Sequence, residues 1–247
     1  MNGRMHFAQG ICRSDVYIST TNFEPSKSKE SDAMIKLHYA PSTASMAPHI
    51  VLEEIGIPFE LDKIDREGGE LNSVAYRKLN PNGLIPVLED GDIVLYETAA
   101  ICLHLADTHP EAGLIPPVGT AERAQCYKWL SWLSTTLQQT LIVYFYPERW
   151  ATEAGAVNQL QAHAAQKVRL LLEQIDTQRA SHQGQWLMGD SYGLPDIYAM
   201  MLCRWTRNIE GSKARDIARI SDWLQRVLGR PAVRRVFERE DLQQPWV

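Results

Sequence analysis

The chain has few cysteines, no long apolar run and no excess of positive charge. Its 247 residues include only Cys12, Cys102, Cys126 and Cys203, and no two of them form a C-x-x-C pair. Widely spaced cysteines, three of them within apolar helical patterns, predict buried free thiols and a reducing compartment. No segment approaches the roughly 18 apolar residues of a membrane helix, and the N-terminus lacks the apolar core of a secretory signal. We therefore expect a cytoplasmic protein with no membrane partner.

The balance of charge argues against nucleic acid as a partner. Thirty acidic and 25 basic side chains give a formal net charge of −5. Residues 204–239 are an exception, with ten Arg or Lys against four Asp or Glu, and a solvated helical face is the favoured explanation. No group of His, Cys and carboxylate side chains has the spacing of metal ligands, so no metal cofactor is expected.

The patterns that are present divide the chain into four segments. Residues 1–31 are polar and rich in Ser, Thr and Lys, which predicts a loosely held extension. Residues 32–109 alternate between strand and helix patterns. Residues 110–119 contain three prolines and two glycines and predict a linker. Residues 120–247 carry helical patterns, which predicts an all-helical domain.

Residues 32–109 predict a small mixed sheet. The predicted elements are a strand at Leu37–Tyr39, a helix at Ser45–Ile55, a strand at Phe59–Lys63, a helix at Leu71–Leu79, a hairpin around Asp90-Gly91 and a helix at Glu97–Thr108. A right-handed crossover makes the first two strands parallel, and the hairpin adds antiparallel strands. The predicted fold class is therefore α/β plus all-α, a βαβ-ββα domain followed by a helical bundle.

The strongest indication of ligand binding lies in residues 80–98. Pro86 stands at the head of a predicted strand although it cannot donate a hydrogen bond to a sheet, and an X-Pro bond can be cis at a cost of roughly 0.5–1 kcal/mol. A cis bond would turn the backbone of Ile85 outward, where it could pair with an extended peptide. Glu97 and Thr98 open the next helix, where unpaired N–H groups favour an anion, although a simple helix cap is the alternative.

Gly193-Leu194-Pro195-Asp196 predicts the start of a helix in the second domain. Pro195 suits the first turn, and Asp196 can accept hydrogen bonds from unpaired backbone N–H groups. We interpret this motif as a folding signal rather than as part of a reactive site.

Taken in order, these motifs resemble the cytosolic glutathione transferase superfamily over about residues 36–240. Residues 36–54 are most similar to the start of bacterial Beta-class members, and residues 80–86 to their glutathione-binding turn. The resemblance implies a thioredoxin-like first domain, and an enzyme that activates the thiol of glutathione, its co-substrate, for attack on a small hydrophobic electrophile. It also implies a homodimer. A non-catalytic binding or regulatory protein, and a glutathione-dependent peroxidase, reductase or isomerase, remain as alternatives.

The resemblance assigns binding roles to four residues. Pro86 would be the cis-proline, and Ile85 would pair its backbone with the cysteinyl part of glutathione. Glu97 and Thr98 would hold the γ-glutamyl end. Positions that depart from the Beta-class pattern are Asn82, Leu84, Thr136 and Gln138, and the side chains that could line an electrophile pocket or belong to the core are Leu141, Tyr144, Phe145, Tyr146 and Trp205.

The residue that activates the thiol is the main departure from the Beta class. Ala44 occupies the position of the Beta-class cysteine, so mixed-disulfide chemistry is not expected there. Ser45 follows directly, and a hydroxyl at a helix N-terminus favours thiolate over thiol. We therefore predict Ser45 as the catalytic residue, with an N-cap as its alternative role. Thr43, Ser42 and Tyr39 are the rival candidates.

Overall fold

A four-stranded sheet opens the part of the chain that the structure describes, residues 34–247 of a computed structural model. Its elements are β1 (Ile35–Tyr39), α1 (Met46–Ile55), β2 (Phe59–Lys63), α2 (Val74–Leu79), β3 (Val87–Asp90), β4 (Ile93–Tyr96) and α3 (Thr98–Thr108). The predicted extension at residues 1–31 and Cys12 lie outside the described residues.

The sheet has the strand order β2-β1-β3-β4. β1 and β2 run parallel, with Leu37 opposite Leu61, while β3 runs antiparallel to both β1 and β4. At the hairpin Gly91 has a φ of 58°, the left-handed conformation that its tight turn requires. The predicted α/β class with a βαβ-ββα order is therefore confirmed.

Helix α1 is buried from Met46 to Glu53 because it packs between the sheet and other helices. Ile50, Val51 and Leu52 are fully buried against the core, as is Leu37 of β1. Burying side chains of this size contributes about 1.5–3 kcal/mol each. The helix ends at Gly56, whose φ of 78° closes it in the left-handed conformation.

Helix α2 begins later than the sequence predicts. The predicted helix at Leu71–Leu79 is divided into a 3₁₀ turn at Glu70–Asn72 and an α-helix at Val74–Leu79. Ser73 separates them because its hydroxyl accepts a hydrogen bond from the backbone N–H of Tyr76 at 3.0 Å. This N-cap favours a helix start at Val74 over continuous helix.

Helices make up the second part of the described chain. They are α4 (Ala121–Trp132), α5 (Gln138–Phe145), α6 (Ala154–Ala180), α7 (Leu194–Trp205), α8 (Ala218–Leu228) and α9 (Pro231–Arg239), with a π-helical turn at Leu133–Leu137 between α4 and α5. Between residues 34 and 247 no helix has the length and apolar character to cross a lipid bilayer. Helix α7 is buried from Leu194 to Arg204 and forms the centre of this part. The domain boundaries at residues 32–109, 110–119 and 120–247 stay predictions.

Asp196 fixes the start of α7, as its motif predicts. One carboxylate oxygen accepts hydrogen bonds from the backbone N–H of Leu187 at 2.8 Å and from the indole N–H of Trp223 at 2.7 Å. The other accepts from the N–H of Gly193 at 3.1 Å. Burial raises the pKa of Asp196 to about 6, and these hydrogen bonds oppose the rise.

Several basic side chains of residues 204–239 form ion pairs within the protein, whereas the sequence favoured a solvated helical face. Arg230 makes a bidentate pair with Glu54 of α1, at 2.5 and 2.7 Å. Arg235 and Arg239 both pair with Glu53, at 2.5 and 2.6 Å. Acidic residues on α1 and basic residues around α9 therefore hold the end of the chain against the first helix.

Candidate functional site

Three segments of the predicted site meet at one edge of the sheet. His38 of β1 is opposite Val87 of β3, and Val87 is opposite Tyr96 of β4. Continuing this register by one or two residues brings together the turn after β1, the Ile85–Pro86 dipeptide and the start of α3. Residues far apart in the chain thus form one continuous surface.

The backbone of Ile85 is available to a ligand at this edge. The Ile85–Pro86 peptide bond is cis, as the sequence predicts. The preceding carbonyl of Leu84 accepts hydrogen bonds from the hydroxyl of Tyr76 at 2.9 Å and the amide of Asn80 at 2.8 Å. By contrast, the N–H and C=O of Ile85 form no hydrogen bond with any other residue of 34–247. Its predicted pairing with glutathione stays a prediction.

Glu97 and Thr98 form the start of α3 in an unusual backbone conformation. Glu97 is exposed and has a φ of 79°, which costs a non-glycine residue about 1–3 kcal/mol. Its side chain makes no capping hydrogen bond within the described chain, so the geometry does not favour the alternative of a simple cap. Thr98 is buried at the first position of the helix.

Tyr198 of α7 is buried, and burial raises its pKa. Its hydroxyl donates to the side-chain carbonyl of Gln138 at 2.5 Å. Gln138 directly follows the π-helical turn at Leu133–Leu137, a type of irregularity that is frequent at functional sites. Gln138 therefore joins α5 to α7 next to that turn.

Ser45 holds the turn after β1 from the inside. Its side chain is fully buried, and the hydroxyl donates to the carbonyl of Ala40 at 3.0 Å while accepting from the N–H of Ala40 at 3.2 Å. It makes no N-cap hydrogen bond. A fully buried hydroxyl engaged in this way cannot reach a ligand without moving and leaving the Ala40 N–H unpaired, so the geometry does not favour the catalytic role predicted for Ser45.

Thr43 and Ser42 are the partly exposed hydroxyl residues of this turn. The Thr43 hydroxyl donates to the Ala40 carbonyl at 2.7 Å, and its oxygen lies 2.9 Å from the Ser45 hydroxyl. Tyr39 is only 8% exposed, and burial raises its pKa, which disfavours ionisation. The resemblance ranked Ser45 above Thr43 because a sequence pattern carries no information on burial.

Ser42 adopts a left-handed conformation between Pro41 and Thr43, with a φ of 61°. This conformation costs a non-glycine residue about 1–2 kcal/mol. The Ser42 N–H donates to Glu240 at 2.8 Å, and its hydroxyl accepts from Arg204 at 3.2 Å. Burial lowers the pKa of Arg204 to about 10. Sequence reasoning missed both Glu240 and Arg204, which have no local signal.

A cavity of about 710 Å³ extends the site between the ends of β1 and β2. Ala40, Pro41, Lys63 and Arg66 are among its lining residues. Ile85 does not line this cavity, but Ile64 does and belongs to the apolar cluster against which Ile85 packs. The cavity is therefore adjacent to the available backbone of Ile85, and both basic and acidic side chains line it, the acidic ones being Asp65 and Glu67.

The side chains suggested for an electrophile pocket divide into two groups. Leu141 is fully buried and belongs to the core. Tyr144, Tyr146 and Trp205 are partly exposed, and Phe145 is 42% exposed. The structure thus removes Leu141 from the candidates and leaves the aromatic residues accessible.

Comparisons with known proteins identify the family. The family model described as "Glutathione S-transferase, N-terminal domain" matches residues 41–108, and that described as "Glutathione S-transferase, C-terminal domain" matches residues 133–231. Glutathione S-transferase GST-4.5 of Xanthomonas campestris pv. campestris is 30% identical over 209 residues, which cover 84% of this chain and all of the relative. The chain belongs to the glutathione S-transferase family.

Solved structures of other glutathione S-transferases agree with this assignment. A sphingomonad enzyme complexed with glutathione is 29% identical, with a TM-score of 0.72, over 84% of this chain and 100% of its own. A bacterial Beta-class enzyme from Sphingomonas chungbukensis is 27% identical, with the same TM-score and coverage. These comparisons confirm the predicted thioredoxin-like domain and the resemblance to Beta-class members. They also confirm the prediction of a glutathione transferase with glutathione as its co-substrate.

Proposed function

We propose that the edge formed by Thr43, Ile85, Glu97 and Thr98 binds glutathione and activates its thiol for attack on a small hydrophobic electrophile. The observation that carries this proposal is the unpaired backbone of Ile85, which lies between the turn after β1 and the start of α3. An extended peptide pairing with Ile85 would have its thiol next to the β1 turn.

The two ends of glutathione carry different charged groups, and the edge offers a partner for each group. At the γ-glutamyl end, the exposed carboxylate of Glu97 attracts the ammonium group, while Thr98 and the helix N-terminus favour the carboxylate. At the glycyl end, the adjacent cavity is lined by the acidic Asp65 and Glu67 and by Lys63 and Arg66, which supply positive charge. These cations compensate for contacts that Asn82 and Leu84 do not provide.

We assign thiol activation to the Thr43 hydroxyl, with Ser45 as its support. Thr43 is partly exposed and Ser45 is not, and the two oxygens lie 2.9 Å apart. A hydrogen bond from Thr43 to the sulfur would replace its bond to the Ala40 carbonyl, which stays paired with Ser45. Such a bond would favour thiolate over thiol, and the thiolate is the nucleophile. The partly exposed Tyr144, Phe145, Tyr146 and Trp205 supply apolar surface for the electrophile.

Calorimetric titration with reduced glutathione tests the proposal. We expect a dissociation constant between micromolar and low millimolar, followed by turnover with at least one hydrophobic electrophile. Binding without turnover would instead support a non-catalytic glutathione-binding protein, and turnover only with peroxides or disulfides a peroxidase or reductase. An absence of binding would overturn the proposal.

Replacing Thr98 by Val should weaken glutathione binding about tenfold, because it removes a hydroxyl next to the ligand carboxylate while keeping the shape of the side chain. Calorimetry measures the change in dissociation constant. Thr108→Val is the matched control, since Thr108 ends the same helix and its hydroxyl donates to the carbonyl of His104. Equal affinities for the wild type and Thr98→Val would exclude Thr98 from the binding site.

The edge strand β4 supports the proposal of a homodimer. Its outer edge has no strand partner in the described sheet, and Ile93, Val94 and Tyr96 are 44%, 43% and 37% exposed. An exposed apolar edge of this kind is generally covered by another chain or protected by charge. A two-fold dimer is the commonest arrangement of soluble homo-oligomers.

Light scattering after gel filtration should therefore give twice the chain mass of 28.0 kDa. Val94→Lys should shift the protein to monomer, because it places a charge on the apolar edge. Val118→Lys, at an exposed position outside the sheet, should leave the dimer unchanged. A monomeric wild type would contradict the dimer.

The three described cysteines, Cys102, Cys126 and Cys203, are free and buried. Free thiols are typical of a reducing compartment, which supports a cytoplasmic location.

A further inference from the structure

The end of α9 reaches the turn that follows β1. Glu240 directly follows α9, and its side chain is fully buried. One carboxylate oxygen accepts from the N–H of Ser42 at 2.8 Å, and the other lies 2.9 Å from the Nδ1 of His49. The two partners of Glu240 lie in the turn after β1 and in α1.

Ser42 is the residue on which this contact acts. Its φ of 61° is unfavourable for a side chain, and the alternative, a negative φ, would redirect the chain at Thr43. Glu240 holds the Ser42 N–H, and Arg204 of α7 donates to its hydroxyl. Two contacts from the helical part thus oppose relaxation of the turn.

Glu240 is itself held in place. The carboxylate of Glu53 in α1 pairs with Arg235 and Arg239 and so fixes the end of α9. Arg204 donates to the carbonyl of Trp246 and lies over the ring of Phe237, at 5.2 Å from its centroid. These contacts anchor the segment around Glu240 on both sides.

We propose that Glu240 is a positioning residue for thiol activation: it holds Ser42 in the left-handed conformation and thereby sets the position of the Thr43 hydroxyl at the glutathione thiol. This inference rests on the proposed function. It adds a residue that lies 198 positions from Ser42 and does not touch the ligand.

A double-mutant cycle with Ser42→Gly tests the proposal. Glycine adopts a positive φ without a steric penalty. Ser42→Gly therefore keeps the turn and its N–H contact, but Glu240 is no longer needed to maintain the positive φ. In the wild-type background Glu240→Ala should raise the pKa of bound glutathione by about one unit and lower kcat about tenfold, with less than a threefold change in KM for glutathione. In the Ser42→Gly background the same substitution should lower kcat less than threefold.

The pKa of the bound thiol is measured from the ultraviolet absorbance of the thiolate as a function of pH. A general loss of stability does not change this pKa. Glu238→Ala, at an exposed position in α9, is the control and should match the wild type. If Glu240→Ala does not fold, Glu240→Met replaces it, because methionine fills a similar volume without an acceptor for the Ser42 N–H. Glu240→Gln, whose amide oxygen can still accept from that N–H, should keep the wild-type thiolate pKa.

Two results would overturn this inference while leaving the proposed function intact. One is an unchanged thiolate pKa and kcat in Glu240→Ala, or in Glu240→Met where that variant replaces it. The other is an equal loss in the wild-type and Ser42→Gly backgrounds, which would mean that Glu240 acts other than through Ser42. A wild-type protein that binds glutathione without forming thiolate would instead overturn the proposed function, and the inference with it.

Discussion

Asp196→Ala should lower the free energy of unfolding by about 3 kcal/mol or more. The substitution leaves three buried donors, the N–H groups of Leu187 and Gly193 and the indole N–H of Trp223, without their acceptor. Each unsatisfied buried donor costs about 1–3 kcal/mol. Denaturant unfolding of the two proteins at the same pH measures the difference.

The effect of Asp196 should also depend on pH. Its folded-state pKa of about 6 lies above the ordinary value of 3.8, so its contribution to stability is complete below about pH 4 and is lost as the pH rises through 6. The stability difference between the wild type and Asp196→Ala should therefore fall by roughly 1 kcal/mol from pH 5 to pH 7.5. A difference that grows with pH would contradict the burial-raised pKa.

Thr43→Val should lower kcat about 100-fold, with a much smaller effect on KM for glutathione. A hydroxyl that stabilises developing negative charge contributes about 2.7–4 kcal/mol to the transition state, and Val keeps the shape of the side chain. The turn should persist, because Ser45 still bonds to both polar groups of Ala40. Steady-state kinetics with saturating glutathione measures the loss.

Ser45→Ala separates the two candidate hydroxyls. It removes two buried hydrogen bonds within the turn, so it should lower the melting temperature and cost about 1–3 kcal/mol of stability. Its effect on kcat should be smaller than that of Thr43→Val. The reverse result, full activity in Thr43→Val and a 100-fold loss in Ser45→Ala, would restore the sequence-based assignment of Ser45.

Signals within a few residues predicted most of the fold. Asp90-Gly91 specified the hairpin and Gly56 the end of α1, because each glycine supplies a positive φ that the local chain requires. Pro195 and Asp196 specified the start of α7. The start of α2 was misplaced because the N-cap hydrogen bond of Ser73 competes with continuous helix, and the apolar pattern alone does not weigh the two.

The site was predicted in part for the same reason. Pro86 predicts a cis peptide bond with an unpaired backbone before it. Glu97 and Thr98 predict a helix start, so the local sequence indicates both features. Ser45 and Thr43 are both hydroxyl residues in one turn, and the difference between them is burial against the rest of the molecule. That difference arises from packing and has no counterpart in a short stretch of sequence.

The sequence by itself determined the order of strands and helices, the turn and cap residues, the cis-proline position and the resemblance to glutathione transferases. These depend on backbone preferences and motifs that are local to the chain. Only the tertiary structure decided that Ser45 is buried while Thr43 is partly exposed, that Gln138 bonds to Tyr198, and that Glu240 contacts Ser42. Such contacts join residues that folding brings together, and their geometry follows from the packing of whole helices against the sheet.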